Sequence, residues 1–288
     1  LDFVQILFGN THWSAGKVFF EDAKLVCSIQ QYDEISPAIL SNPKPTTFQH
    51  YLEQGNAKHG KLAHWDNEPE EKTGTGFIRG YKLYWHRNTP QDEEYGWQAK
   101  KEVVEEHPRQ YTKIKPIKGK FEGRIRFENL SDIELGGLLF VLDLPSKCAH
   151  KLGMGKPLGL GTVEITPHLV ITDRSKGTDE KPGRYGRLFV NKKWHLPKPD
   201  VDMANFSAEL KGKFSKFILE KLGESEYKDL WDHPRLKELK AMLYYDEQKM
   251  SDKNWILQTK YLEVEKFKDR AILDSPVNIL KKSGIDLS

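Results

Sequence analysis

Residues 120–165, KFEGRIRFENLSDIELGGLLFVLDLPSKCAHKLGMGKPLGLGTVEI, set a strand pattern, a capped helix and a glycine-rich loop end to end. Over 121–127 the apolar Phe121, Ile125 and Phe127, with Gly123 among them, alternate with Glu122, Arg124, Arg126 and Glu128. That is the period-two pattern of a strand with one face buried and the other turned to water or a charged partner. Ser131 then offers its hydroxyl to the first free N–H groups of a helix, and Glu134 can reach back, the reciprocal arrangement of a capping box. The helix predicted from there carries Ile133, Leu135, Leu138, Leu139 and Leu142 and stops before Pro145. Behind His150, the loop to Gly161 holds four glycines (Gly153, Gly155, Gly159, Gly161) and two lysines, Lys151 and Lys156. Residues 162–165 read as a returning strand, and the succession predicts an α+β fold.

The glycines admit two readings. A residue without Cβ can take a positive φ and lets the backbone come close to a phosphate, and two lysines would add charge at the same place, making a cradle for a phosphate backbone. Equally, a tight hairpin-like connection needs glycine and nothing else. The spacing is not that of a nucleotide P-loop, because Lys156 is followed by Pro157 and a strand rather than by Ser or Thr opening a helix. An ATP site is not expected.

Outward from this stretch, 288 residues with 38% apolar content suffice for a sizeable core in one large or two small domains. A balance of 45 basic against 42 acidic side chains, net +3, is far from that of a protein that coats nucleic acid by charge alone, so any RNA contact must be local. Cys27 and Cys148 are too far apart in sequence to suggest a metal knuckle or a disulfide framework. No run has the apolar length of a membrane span and no signal-peptide pattern is present, which together predict a cytoplasmic protein without a membrane partner.

Residues 77–87, FIRGYKLYWHR, interleave Arg79, Lys82, His86 and Arg87 with Tyr81, Tyr84 and Trp85. Such a mixture can neutralise phosphates while aromatic faces stack on bases or sugars, so a strand contacting RNA is one reading. The other makes Ile78, Leu83 and Trp85 core and the basic residues a solvated face. Residues 54–76, with His59, His64, Glu68, Glu70 and Glu71, match no metal template and read as a surface insertion. Residues 88–112 are charged and helix-favouring with few apolar anchors, a second insertion. Asp22, a carboxylate between strand patterns, is more ordinary as a backbone-bonding turn residue than as a catalytic acid.

Beyond Ile165 the character shifts. Residues 173–186 read as a long loop, and 185–194 as a strand. From residue 205 the period is helical, with Leu210, Phe214, Phe217, Ile218 and Leu222 on one stripe ended by Gly223. Further helical stretches carry Tyr227, Leu230 and Trp231, then Leu236, Leu239, Met242 and Leu243, and an extended or helical piece over 255–267 precedes a polar tail. The domain reading is therefore 1–200 as one α+β domain and 201–288 as a mainly helical extension, packed on its own core or on a partner. No nucleophile with its base and no HExxH pattern is present, so no residue is assigned as catalytic and none as a metal ligand.

Residues 128–144 followed by 150–165 resemble the C-terminal signature of RAMP proteins, the RNA-binding subunits of type III CRISPR effectors. Leu7-Phe8-Gly9 with AGKVFFEDA at 15–23, Pro43-Lys44-Pro45-Thr46 with Tyr51-Leu52, and IRGYKLYWH at 78–86 are similar to segments of the large RAMPs found in multi-RAMP fusions. The resemblance spans roughly 6–165. It implies a ferredoxin-like, RRM-related domain with a helical C-terminal extension, and guide RNA (crRNA) binding within an RNA-targeting antiviral ribonucleoprotein. Implied RNA contacts are His150, Lys151, Gly153, Gly155, Lys156, Gly159 and Gly161 in the loop, with Arg79, Lys82 and His86. Implied partners are guide RNA, target RNA, other RAMP domains of the same effector and an accessory protein. Any divalent metal and the cleaving aspartate of the endoribonuclease would belong elsewhere in the effector. Within the family, the closest pattern is the C-terminal part of the last RAMP repeat of a giant single-chain type III-E effector. A subunit of a type III-D complex is one alternative, and a protein-interaction scaffold docking an accessory protein through its helices is another. The opening strand, helix and basic segment of a RAMP domain do not precede Leu7-Phe8-Gly9, so the chain is expected to be the second part of a split domain.

Overall fold

The capping box at Ser131 forms as its residues require. Ser131 Oγ accepts from the Glu134 N–H at 3.3 Å, and the Ser131 N–H donates to Glu134 Oε2 at 2.7 Å. The computed structural model describes residues 2–40, 46–54, 62–65, 77–80, 82–88, 98–171, 189–194, 204–260 and 269–287. Tyr81, Pro43, Lys44, Pro45, His59, Glu68, Glu70, Glu71 and the loop expected over 173–186 lie outside these residues.

Among the described residues, the α-helices are α1 (Phe3–Phe8), α2 (Lys101–Glu106), α3 (Asp132–Leu142), α4 (Ala204–Leu222), α5 (Pro234–Leu243), α6 (Lys253–Thr259) and α7 (Pro276–Lys282). The strands are short: β1 (Val18–Phe20), β2 (Lys24–Leu25), β3 (Gln30–Gln31), β4 (Ile117–Lys118), β5 (Phe121–Glu122), β6 (Ile125–Phe127), β7 (His150–Lys151), β8 (Thr162–Val163), β9 (Phe189–Val190) and β10 (Lys193–Trp194). Helices and small antiparallel ladders make an α+β fold. No helix is long and apolar enough to cross a membrane among the described residues. Two compact units result, each assembled from three segments: Leu1–Lys24, Glu122–Leu144 and Ile165–His233 in one, and Leu25–Phe121, Pro145–Glu164 and Pro234–Ser288 in the other.

In the first unit α3 is the central element. Its run of apolar residues leaves almost no polar face, as befits a helix covered on several sides. Leu138 packs with Leu7 of α1, Val18 of β1, and Ile125 and Phe127 of β6. Strands β1 and β6 pair antiparallel with Val18 opposite Phe127 and Phe20 opposite Ile125. On another side, Leu135 and Leu139 pack on Leu210 of α4. The helices meet at Gly136, where a Cβ would lie 2.1 Å from the Leu210 carbonyl oxygen. Lys213 and Asp132 tie the same pair of helices at 2.8 Å.

Three expectations change here. The strand predicted over 121–127 is broken into β5 and β6, and Phe121 is 47% exposed, because the pairing with β1 covers only 125–127. Leu222, placed on the buried stripe, is 54% exposed, whereas Leu219 is buried. Leu219 and Ser215 face away from Leu210, and Ser215 Oγ accepts from the Leu230 N–H at 2.9 Å, so the turn Leu230–Asp232 covers a second side of α4. A single-stripe reading assumes one covered face. Finally, 185–194 is not one strand: β9 and β10 form a hairpin whose turn, Asn191-Lys192, takes φ of 50° and 64°, the geometry that joins antiparallel strands most tightly.

In the second unit the core is Ala241, Tyr244, Met250, Trp255, Ile279, Leu280 and Ile285, with Trp85 packed against it. Trp85 meets Trp255 edge to face, ring centroids 5.4 Å apart. Helix α7 is built from residues read as a polar tail. Ser275 Oγ accepts from the Asn278 N–H, Pro276 starts the first turn, and Ile279 and Leu280 are buried. Residues 77–87 do not form the predicted strand. Ile78 bridges Leu52, and the Arg79 N–H donates to the Tyr51 carbonyl at 2.9 Å, but among the described residues this stays an isolated bridge, and Gly80 takes φ 119°. Ile78 and Leu83 are exposed, and of the three apolar residues only Trp85 joins the core. Helix α2, in the second expected insertion, buries no side chain.

Candidate nucleic-acid interface

The glycine-rich segment is the connection of a hairpin. Strands β7 and β8 pair antiparallel, His150 opposite Val163 and Lys151 opposite Thr162, and the Leu152 N–H donates to the Gly161 carbonyl at 2.8 Å. Gly161 cannot carry a side chain, because a Cβ would sit 1.8 Å from the Leu152 carbonyl oxygen and φ is 76°. Between the strands, Lys156–Leu158 makes one 3-10 turn, held by Leu158 N–H to Gly155 O at 2.9 Å and Gly159 N–H to Lys156 O at 3.1 Å. Leu158 is 4% exposed and, with Leu160, anchors the loop to Ile35, Ala38, Leu40 and Ile114. The hairpin and cradle readings of the sequence are thus compatible: a hairpin supports the loop, and the anchored side leaves the tip outside.

At that tip, the N–H groups of four consecutive residues, Gly153, Met154, Gly155 and Lys156, have no backbone acceptor among the described residues. Successive free amides beside left-handed glycines, here Gly153 at φ 79° and Gly155 at φ 70°, can offer partial positive charge to an anion's oxygens. Lys156 Nζ donates to the Gly153 carbonyl at 2.7 Å, which places the ammonium beside these amides.

Lys151 plays a different part. Its Nζ donates to the carbonyls of Gly159 at 2.6 Å and Leu160 at 2.9 Å and approaches Thr162 Oγ1 at 3.5 Å. The ammonium therefore points into the loop's own backbone. Burial, and then the charges of Arg87 and Lys156, pull its pKa down to about 7. Behind it His86 is fully buried, with Nδ1 2.9 Å from Thr162 Oγ1 and Nε2 3.0 Å from the Ala149 carbonyl. A carbonyl can only accept, so Nε2 carries the proton and Nδ1 accepts from the Thr162 hydroxyl. Burial above all, with Lys151 adding to it, pushes the imidazole pKa down to about 3, and the ring is neutral. The His86 carbonyl accepts from Trp255 Nε1–H at 2.8 Å, which links the loop's support to α6.

Arg87 completes the cluster. It is 6% exposed, donates to the Pro157 carbonyl at 3.3 Å, and has no carboxylate partner among the described residues. Burial lowers its pKa to about 10. Three cationic groups, Arg87, Lys151 and Lys156, consequently surround one glycine loop. Arg87 lies in the aromatic-basic stretch at 77–87, but only its place after the buried His86 shows that it faces the loop.

The remaining predicted contacts sit apart from this cluster. Arg79 donates to the carbonyls of Leu273 at 2.6 Å and Asp274 at 2.9 Å. Lys82 is exposed, its Nζ 5.3 Å from the centre of the Tyr84 ring, a cation over an aromatic face. No hydrogen bond links either residue to the loop among the described residues. His150 is half-buried on β7, opposite Val163. Among the described residues no group of three His, Cys, Asp or Glu side chains is placed to hold a metal ion.

A family model, the RAMP superfamily, matches residues 1–164, more than half the chain, and ends where β8 closes the hairpin. The chain belongs to the RAMP superfamily. That family is generally associated with binding CRISPR RNA and with other Cas subunits. No curated protein matches the chain.

Proposed function

We propose that this chain binds the guide RNA of a type III CRISPR effector and holds its sugar-phosphate backbone on the loop from Gly153 to Lys156. The observation that carries this is the run of four amides without a backbone acceptor beside the Lys156 ammonium, with Arg87 and Lys151 beneath and no carboxylate paired to Arg87 among the described residues. Amides and Lys156 contact phosphate oxygens, which carry no sequence information, so binding is sequence-tolerant. Lys151 and His86 act from behind by fixing the loop, Arg87 supplies field from below, and Lys82 with Tyr84 gives a second, exposed point of contact. The same reading includes the finer one: a ferredoxin-like, RRM-related domain acting as the last RAMP repeat of a single-chain type III-E effector, supported by the segments at 7–23 and 78–86.

The test is binding of guide RNA by Lys156→Ala across a range of salt. Loss of one phosphate contact weakens binding and lowers the slope of log K against log salt by about 0.7 for a single strand. Unchanged affinity and slope in Lys156→Ala, with the fold intact by circular dichroism, ends the proposal.

A further inference from the structure

Beyond residue 164, where the match to the family ends, the hairpin of β9 and β10 carries side chains that the glycine loop does not use. Its strands pair Trp194 with Phe189 and Lys193 with Val190, so the two aromatic rings stand on one face. Their centroids are 4.3 Å apart and their planes 38° from parallel. Phe189 is nevertheless 57% exposed and Trp194 71% exposed, so the rings brace each other and keep open aromatic surface. Asn191 and Lys192 make the turn with positive φ, and Lys192 and Lys193 are exposed and form no ion pair among the described residues. The surrounding sequence has the same sign. Residues 181–199 contain six lysines and arginines and no Asp or Glu, a formal charge of +6 against +3 for the whole chain.

Two braced rings on a basic hairpin restrict the partner. An acidic peptide would answer the lysines and leave the rings in water, and an apolar protein face would cover the rings at the cost of burying unanswered charge. In a duplex the faces of the bases are already stacked on one another. A single strand offers a flat face with every base and a negative charge with every linkage. We propose that this hairpin is a second nucleic-acid site, a platform on which bases of single-stranded RNA stack against Trp194 and Phe189 while Lys192 and Lys193 meet the flanking phosphates. Every base has a π-face, so the site is sequence-tolerant. With two rings and two lysines on one short ladder it is the weaker of the two sites, and affinity for the guide still rests on the loop. The platform stands on its own observations and does not require the loop to bind RNA.

The experiment labels the tryptophans of the whole chain with nitrogen-15 and follows their seven indole N–H signals by NMR as a short oligouridylate is added. Trp194→Phe identifies the Trp194 signal by its disappearance. That signal should move with RNA, and its titration curve gives the affinity of this site apart from the loop. Phe189→Ala should weaken the curve by roughly 5- to 150-fold, the range of one lost base–aromatic contact, whereas Phe189→Tyr, which keeps a ring beside Trp194, should retain it. Lys192→Ala and Lys193→Ala should each lower the salt slope of the curve by about 0.7. Inorganic polyphosphate, which has the charge and no bases, should not reproduce the shift. A Trp194 signal that stays still with oligouridylate, or moves equally with polyphosphate, refutes the platform, as does a Phe189→Ala chain that binds as tightly as Phe189→Tyr. A signal that moves with protein concentration and not with RNA marks a protein contact and refutes it too. Lys156→Ala should leave the Trp194 curve unchanged. If guide binding depends on Lys156 while Trp194 stays silent, the platform falls and the loop reading stands.

Discussion

Acid should act on this protein first through His86. The buried ring holds a proton on Nε2 for the Ala149 carbonyl and uses Nδ1 to accept from Thr162, so a second proton would turn an acceptor into a donor facing a donor. Its pKa is about 3 in the folded chain against 6.5 when free. Between those values the unfolded chain binds the extra proton and the folded one does not, so stability rises with pH across that window. The loss begins as pH falls below 6.5 and by pH 3 amounts to the order of 4 kcal/mol. Urea midpoints from pH 7 to pH 4 should fall steeply for the unaltered chain and less steeply for His86→Asn, which is weaker throughout; equal slopes would clear His86. At the same scale, Gly161→Ala brings a Cβ to within 1.8 Å of a carbonyl oxygen, whereas Gly153→Ala meets no atom within 4 Å and has only its φ of 79° to bear. The first should cost several times the ~1 kcal/mol of the second, by thermal midpoint. Composition could point to these glycines as a group but not rank them. Ranking depends on which carbonyl stands opposite, and that is a property of the closed hairpin. In the sequence, His86 and Arg87 look like any basic pair on a solvated face.

Helix α3 shows what local chemistry can reveal. Its start at Ser131, its reciprocal Glu134 bond and its end ahead of Pro145 were all readable, because a cap and a proline act within four residues. Ser131→Ala should lower stability by ~1 kcal/mol, measured by denaturant unfolding. Gly136→Ala, in an ordinary helix a gain, should here be much more damaging, since the Cβ would lie 2.1 Å from the Leu210 carbonyl of α4. A variant as stable as the parent would contradict that close approach. What α3 packs on was not legible, because α4 lies some 70 positions downstream in sequence. Likewise the two covered sides of α4 escaped the periodicity, which finds a helix with one wet face and blurs when a following turn returns to cover another.

Over the whole chain, a net charge of +3 leaves little long-range attraction for RNA, so affinity should rest on the few groups at the loop. With Lys156 and Lys82 as contacting cations and Arg87 beneath the loop, the full salt slope for a single-stranded RNA should be no steeper than about −2. A much steeper slope in filter binding would mean that other surfaces dominate. A chain cut after residue 200 should fail to present the loop at all, because Trp255 and its bond to the His86 carbonyl would be gone. Amide exchange of Leu152 and Leu158 reads this directly: protection equal to that of the full chain would show that the loop stands alone. The division of the chain was the part least visible in sequence. Composition shifts near residue 200 suggest a boundary there, while the structure passes from one unit to the other five times.

That repeated passage has a consequence for how the protein comes into being at the ribosome. Leu135 and Leu139 must wait, uncovered, until Leu210 has been translated, and the hairpin bearing the loop lacks its backing until Trp255 emerges. Neither unit can mature while the chain is still being made through its middle. The nascent polypeptide therefore leaves one side of α3 uncovered from the emergence of Leu135 until that of Leu210.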